Sequence, residues 1–204
     1  MKYIFDNINN YTNKQYESFF KELKEEKQQH IKNLLNDEEK KRSILGEILL
    51  KKLLLENNFD YDLTEFLINT NGKPYIKDNT IYFNISHSHD YVVCVISKYQ
   101  IGIDIEHVRP ISLNTIKRWT NQDEYNYIMQ DENDLYKRLF TIWTIKEAYI
   151  KCLGLNVAYV KDCSLDLDNG INYSSKNTKL FLLNDIDNYI IAICELTEKK
   201  VRIV

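Results

Sequence analysis

Two prolines and five glycines among 204 residues leave this chain short of the residues that punctuate loops and linkers. No Gly-, Ser- or Pro-rich stretch divides it, and no internal repeat or low-complexity tract is visible, which excludes solenoids and collagen-like rods. Cysteine is scarce too. Cys94, Cys152, Cys163 and Cys194 form no Cys-x-x-Cys pair, so zinc ribbons and thioredoxin-type motifs are excluded, and the thiols suit a reducing cytoplasm. No apolar run approaches the roughly 18 residues of a membrane helix. The opening Met1-Lys2-Tyr3-Ile4-Phe5-Asp6 lacks the apolar core of a signal peptide, so a cytoplasmic location away from membranes is expected. Positive charge is not in excess: 27 Lys and Arg against 30 Asp and Glu give a net charge of −3, unlike the basic footprint of a nucleic-acid binder. Walker loop, dinucleotide glycine fingerprint, His-Glu-x-x-His helix and kinase motifs are all missing.

What is present is an ordinary globular composition, 44% hydrophobic and 28% charged, at a length suited to one large domain or two small ones. Tyr16, Phe19, Phe20 and Leu23 recur at helical spacing. A second helix is predicted to start at Asn36, an N-cap with Glu39 three residues on as in a capping box, and to run through Ile44, Leu45, Ile48, Leu49 and Leu53. Asn71-Gly72 marks a turn, and strands are predicted over 81–85, 91–96 and 101–105. Helical patterns then occupy 113–130 and 135–153, the latter closed by Gly154. Strands return near 165 and over 180–183, 189–196 and 201–204. Helices followed by strands, twice over, predict an α+β fold with two halves, 1–101 and 102–204.

The segment most suggestive of chemistry is Ile101-Gly102-Ile103-Asp104-Ile105-Glu106. On a strand the three isoleucines share one face and the two acids the other. Neighbouring carboxylates repel unless a cation lies between them, and such a pair suits Mg²⁺; the same alternation also fits any half-buried strand. Trp143, Glu147 and Lys151 are spaced i, i+4, i+8 on a helix, either as a third ligand or base with a phosphate-binding lysine, or as a surface ion pair. His87 and His89 alternate at a strand end, but two histidines make no zinc site, and Ser86 and Ser88 lack the Gly-x-Ser-x-Gly elbow of a hydrolase. Phosphate or sugar contacts suit these polar residues better. Gly72-Lys73-Pro74 is a rigid turn with one cation, and Lys27, Arg42 and Ser43 form a basic cluster able to hold an anion or simply to face solvent.

Taken together and in this order, Gly72-Lys73-Pro74, Phe83-Asn84-Ile85-Ser86-His87-Ser88, Gly102-Ile103-Asp104-Ile105-Glu106 and Trp143-Thr144-Ile145-Lys146-Glu147-Ala148-Tyr149-Ile150-Lys151 closely resemble the Sfp-type 4′-phosphopantetheinyl transferases. Lys41-Arg42-Ser43-Ile44-Leu45-Gly46-Glu47 extends the resemblance upstream, so that it covers most of residues 27–154. The resemblance implies a pseudo-symmetric α+β fold of two lobes, with coenzyme A in the cleft between them. It implies a monomer that moves the phosphopantetheine arm of coenzyme A to a serine of an apo acyl or peptidyl carrier protein, releasing 3′,5′-ADP. Asp104, Glu106 and Glu147 would hold Mg²⁺, with Asp104, Glu147 and Lys151 as the catalytic group. Glu147 would take the serine proton and Lys151 would contact the diphosphate. Ser86 and His87 would touch the phosphates, Gly72, Lys73 and Pro74 would border the adenine, and Lys27, Arg42 and Ser43 would lie near the 3′-phosphate. His30 stands where related enzymes carry a second basic residue, and Ile105, between the two acids, cannot ligate metal. The stretch from Val108 to Tyr127, with Arg109, Lys117, Arg118 and Trp119, has the character of a docking surface for an acidic carrier. A non-catalytic coenzyme A-binding module is the alternative, and a Mg²⁺-dependent phosphohydrolase a third reading. The full set of Asp104, Glu106, Glu147 and Lys151 favours an enzyme.

Overall fold

The computed structural model describes residues 1–112, 116–163, 165–167, 170–175 and 177–198. Its first half is built on a three-stranded antiparallel sheet, order β1-β5-β4, from strands β1 (Lys2–Asn7), β4 (Tyr82–Ser88) and β5 (Tyr91–Ser97). The second half has its own antiparallel sheet, order β6-β10-β9, from β6 (Ile101–His107), β10 (Tyr189–Leu196) and β9 (Thr178–Leu183). The chain crosses from one sheet to the other between Ser97 and Ile101. Two small hairpins, β2 (Phe66–Ile68) with β3 (Pro74–Ile76) and β7 (Leu165–Asp166) with β8 (Asn172–Tyr173), lie outside the main sheets.

One long helix covers each sheet. Helix α3 (Asp37–Leu55) is capped by the Asn36 side chain, which accepts from the Glu38 amide at 2.8 Å, and three acids fill its first turn, where the helix dipole favours them. Helix α5 (Leu135–Leu153) ends as predicted at Gly154, whose φ of +70° is the left-handed conformation a glycine adopts without strain. Reciprocal capping boxes start two other helices: Thr12–Gln15 for α1 (Asn13–Lys21) and Asn121–Glu124 for α4 (Gln122–Met129). The cap at Asn121 interrupts the helical pattern predicted over 113–130. A turn closes at Ile116–Trp119, and a new helix then begins. Residues 113–115 and the strand predicted over 201–204 lie outside the described residues. Several elements were not predicted from the sequence, among them β1 and α2 (Glu25–Lys32).

The near-continuous burial of β5 follows from its position, since both its faces are covered. Val92, Cys94 and Ile96 pack against Leu45, Leu49, Leu50 and Leu53 of α3, while Val93 and Val95 meet Ile101, Ile103 and Ile105 of β6. Strand β10 repeats the logic: Ile191 and Ile193 join the layer between the sheets, and Ala192 and Cys194 meet Ile145, Ala148 and Cys152 of α5. The layers therefore run α3, first sheet, second sheet, α5. Each Val or Ile in the middle layer contributes about 1.5–3 kcal/mol on burial, enough for that layer to hold the two sheets face to face.

Candidate active site

Strand β6 and helix α5 supply the acids. The odd-numbered isoleucines of β6 enter the middle layer, so Asp104 and Glu106 turn the other way, as the alternation predicts. Helix α5 crosses that face at unusually short range: a Cβ on Gly102 would lie 2.2 Å from the Ala148 carbonyl oxygen and 2.3 Å from the Cys152 nitrogen, so only glycine allows this approach. The same approach brings Lys151 onto Asp104. The Lys151 ammonium donates to Asp104 Oδ1 at 2.5 Å and to Ser86 Oγ at 3.0 Å, and the Ser86 hydroxyl donates to the same Oδ1 at 2.8 Å.

Strand β4 provides the third wall, and its role is the main feature that sequence reasoning missed. No backbone ladder joins β4 to β6 among the described residues. The alternate side chains Asn84, Ser86 and Ser88 form a seam instead. Asn84 Oδ1 accepts from the Ile103 amide at 2.8 Å, Ser86 binds Asp104, and the Ser88 hydroxyl donates to Glu106 Oε2 at 3.2 Å while accepting from the His107 amide at 3.1 Å. All three residues are buried. Glu106 also accepts from Trp143 Nε1 at 3.1 Å and faces Arg109 at 3.6 Å. Only the polar-at-alternate-positions pattern of 84, 86 and 88 hinted at this seam.

The electrostatics are those of an under-neutralised cluster. Burial, opposed by Lys151 and reinforced by Asp104 and Glu106, pushes the Glu147 carboxyl up to about 7. Burial and then Asp104 also raise Glu106. Burial pulls Lys151 down, but Asp104, Glu147 and Glu106 together hold it above the ordinary lysine value. Desolvation by the surrounding chain, then the charges of Arg42 and Lys151, lower His87, although the residue reaches solvent. Asp104 Oδ2 is buried without a hydrogen-bond partner. An orphaned carboxylate oxygen beside two further carboxylates is the hard-oxygen donor set that suits Mg²⁺. The three carboxylates do not close into a ready cage, since no group of three His, Cys, Asp or Glu among the described residues converges that far. Lys151 stands at Asp104 Oδ1, where it supplies the neutralising charge itself.

A pocket of about 370 Å³ lies in the first half, between α2, α3 and the β2–β3 hairpin. Lys27, His30, Ser43, Gly72 and Pro74 line it, with Phe66 and Leu67 as apolar walls. Five positions named from sequence, scattered over 27–74, thus meet in one cavity. Lys27 is paired with Glu47 at 2.7 Å, and the Tyr61 hydroxyl donates to the other Glu47 oxygen at 2.7 Å. Arg42 does not line this pocket. It donates to the His89 carbonyl at 3.2 Å, and its buried Nε has no partner. Lys73 departs further from expectation. Its ammonium turns from the pocket and donates to backbone carbonyls of Ile101, Lys151 and Cys152. Trp119 is not a surface anchor either: it is 7% exposed and packs edge-on against Trp143 with ring centroids 4.8 Å apart.

Residues 10–99 match the family described as 4′-phosphopantetheinyl transferase, N-terminal, and residues 100–194 match the 4′-phosphopantetheinyl transferase superfamily. The 4′-phosphopantetheinyl transferase Sfp of Bacillus subtilis (strain 168) is 32% identical over 157 residues, covering 75% of this chain and 67% of that protein. The chain belongs to the 4′-phosphopantetheinyl transferase family. Other members are also similar. The 4′-phosphopantetheinyl transferase gsp of Aneurinibacillus migulanus is 38% identical over 65% of this chain and 56% of its own length. The 4′-phosphopantetheinyl transferase HetI of Nostoc is 35% identical over 62% and 55%. The chain thus spans between about half and two thirds of these transferases. A crystal structure of the Thermotoga maritima holo-[acyl-carrier-protein] synthase aligns at a TM-score of 0.41 and 21% identity, covering 50% of this chain and 64% of that one.

Proposed function

We propose that this phosphopantetheinyl transferase moves the arm of coenzyme A to a serine of an apo acyl or peptidyl carrier protein, within one chain whose lobes are 1–101 and 102–204. The observation that carries the reading is the convergence of Asp104, Glu106, Glu147 and Lys151 from β6 and α5 against the Ser86–Ser88 edge of β4. The serine oxygen forms a bond to the β-phosphorus. The bond from that phosphorus to the bridging oxygen breaks, and 3′,5′-ADP leaves with the electron pair. Glu147 takes the serine proton as general base. The Lys151 ammonium, freed from Asp104 by small side-chain movement, neutralises charge growing on the bridging oxygen. Ser86 and His87 orient the diphosphate. The Lys27 pocket receives the nucleotide end, with Ser43 and His30 at the 3′-phosphate and Gly72 and Pro74 along the base.

Asp104, Glu106 and Glu147 would hold Mg²⁺, which when bound supplies Lewis acidity and offsets the charge of the diphosphate. His30 lines this pocket in place of a second lysine or arginine, and its imidazole reaches less far and offers fewer N–H donors, so the 3′-phosphate contact is weaker here. No described helix is long and apolar enough to cross a membrane, and all four cysteines are free and buried, which supports a reducing, cytoplasmic setting.

The test is to incubate the protein with coenzyme A, Mg²⁺ and a panel of apo carrier proteins and read intact masses. Gain of one phosphopantetheine arm, abolished by EDTA and by Asp104→Ala, is the expected result. Coenzyme A binding without transfer would identify a binding module, and coenzyme A breakdown without a modified carrier a phosphohydrolase.

A further inference from the structure

Lys73 sits between the two halves of the molecule in a way that the nucleotide pocket does not require. Its ammonium donates to Lys151 O at 2.5 Å, to Ile101 O at 2.9 Å and, more weakly, to Cys152 O at 3.5 Å. An ammonium has three N–H donors and no acceptor, so these carbonyls use its full capacity and leave none for a ligand. The acceptors are the last-turn carbonyls of α5, where a cation is favoured by the helix dipole, and the first carbonyl of β6. Those are the two elements that carry Glu147, Lys151, Asp104 and Glu106. The neighbouring backbone is equally committed. Asn69 and Asn71 side chains both donate to Gly154 O, at 3.1 and 2.9 Å, so the β2–β3 hairpin seats its turn on the end of α5. On its other side the same turn presents Gly72 and Pro74 to the 370 Å³ pocket.

We propose that Lys73 is a positioning residue: its ammonium pins the C-terminal turn of α5 to the start of β6, and so fixes Lys151 and Glu147 against Asp104 and Glu106. This rests on the transferase reading for its effect on turnover, but not for the brace itself. Removing the ammonium takes away the cation that ties the last-turn carbonyls of α5 to the first carbonyl of β6, although Lys151 O keeps its bond from the Gly154 amide, and lets α5 shift along β6. A misplacement of about 1 Å at reacting groups can cost on the order of a hundredfold in rate. A small cavity of about 140 Å³ reaches Lys73 between Tyr75, Gln100 and Gly154, wide enough to admit a short alkylamine into a truncated variant.

The experiment compares the full-length protein with Lys73→Met, Lys73→Arg and Lys73→Ala, all with coenzyme A, Mg²⁺ and a carrier that the unmodified protein labels. Turnover is normalised to folded protein. The expected result for Lys73→Met is a kcat lower by about tenfold or more with the KM for coenzyme A within about twofold. Lys73→Arg retains more activity, and added ethylammonium partly restores Lys73→Ala. Amide hydrogen exchange over 101–107 and 147–155 rises in Lys73→Met. A raised KM at unchanged kcat would overturn the proposal by placing the side chain on coenzyme A. Unchanged turnover per folded molecule would reduce Lys73 to a structural contact. If the unmodified protein labels no carrier, the transferase reading fails, and exchange alone decides the brace: unaltered protection of both segments in Lys73→Met would sink it. If Lys73→Met does not fold, the split between kcat and KM is read from Lys73→Arg and from the amine rescue.

Discussion

Lys146 and Lys151 leave the same helix five residues apart, and each meets a carboxylate at hydrogen-bond distance. The Lys146 ammonium binds Glu124 Oε2 at 2.7 Å and the Trp119 carbonyl at 3.0 Å, with neither charged side chain exposed. Glu124 Oε2 also accepts from the Asn121 amide, so this pair closes the start of α4 onto α5. It balances one charge with one. Lys151, 29% exposed, stands among three carboxylates, with Arg109 at the rim facing Glu106. The first pair fixes a fold; the second leaves negative charge unbalanced within reach of solvent. Proximity of a lysine to an acid therefore says little about role, and the local charge count with access to water says much more.

Breaking the two pairs separately should show the contrast. The largest effect is expected from Asp104→Ala, which should lower transfer to a carrier by on the order of 10²–10³-fold, with a thermal midpoint near that of the unmodified protein. Lys146→Met should do the reverse. Leaving Glu124 buried and unpaired costs about 3–5 kcal/mol, seen as a lower denaturation midpoint, while turnover per folded molecule stays unchanged. If Lys146→Met abolished turnover in folded protein, the division of labour would be wrong.

The raised Glu147 sharpens the comparison through pH. Its ordinary value is 4.5 and its folded value about 7, so between those limits the folded state keeps a proton that the unfolded chain has released. Stability therefore falls as pH rises through that window and is level above it. Thermal melts from pH 4 to 8 should show this slope, reduced in Glu147→Gln. Added Mg²⁺ should release protons near pH 6.5, read by calorimetry in two buffers of unlike ionisation enthalpy. The smallest effect is expected from Ser88→Ala, which removes one hydrogen bond to Glu106 worth about 0.5–1.5 kcal/mol and should weaken Mg²⁺ activation by several-fold at most.

Much of this was legible from local pattern. The isoleucine alternation of 101–105 placed Asp104 and Glu106 on one face, and Asn36 and Gly154 marked the ends of long helices. The rest depended on contacts that local pattern does not encode. Strand β1 reads Lys-Tyr-Ile-Phe-Asp-Asn, with no clean alternation because it is an edge strand whose register is set by β5. Helix α2 buries Ile31 alone, too little for an apolar stripe. Trp143 reaches Glu106 across 37 positions, and Lys73 reaches Lys151 across 78. The family resemblance pointed to Lys27, His30, Ser43, Gly72 and Pro74, which line one pocket, but it could not say that Lys73 would turn its charge the other way.

The seam of Asn84, Ser86 and Ser88 makes the docking of the two sheets and the assembly of the acid cluster a single event. Neither half of the chain holds the cluster by itself: the hydroxyls come from the first sheet and the acids from the second, and they meet only when the middle layer has closed. A nascent chain that has completed β4 but not α5 lacks Glu147 and Lys151 and so holds only part of the cluster. The same geometry makes the loop between Ser97 and Ile101 a natural place to divide the protein, since two fragments cut there would regain the cluster only by finding each other.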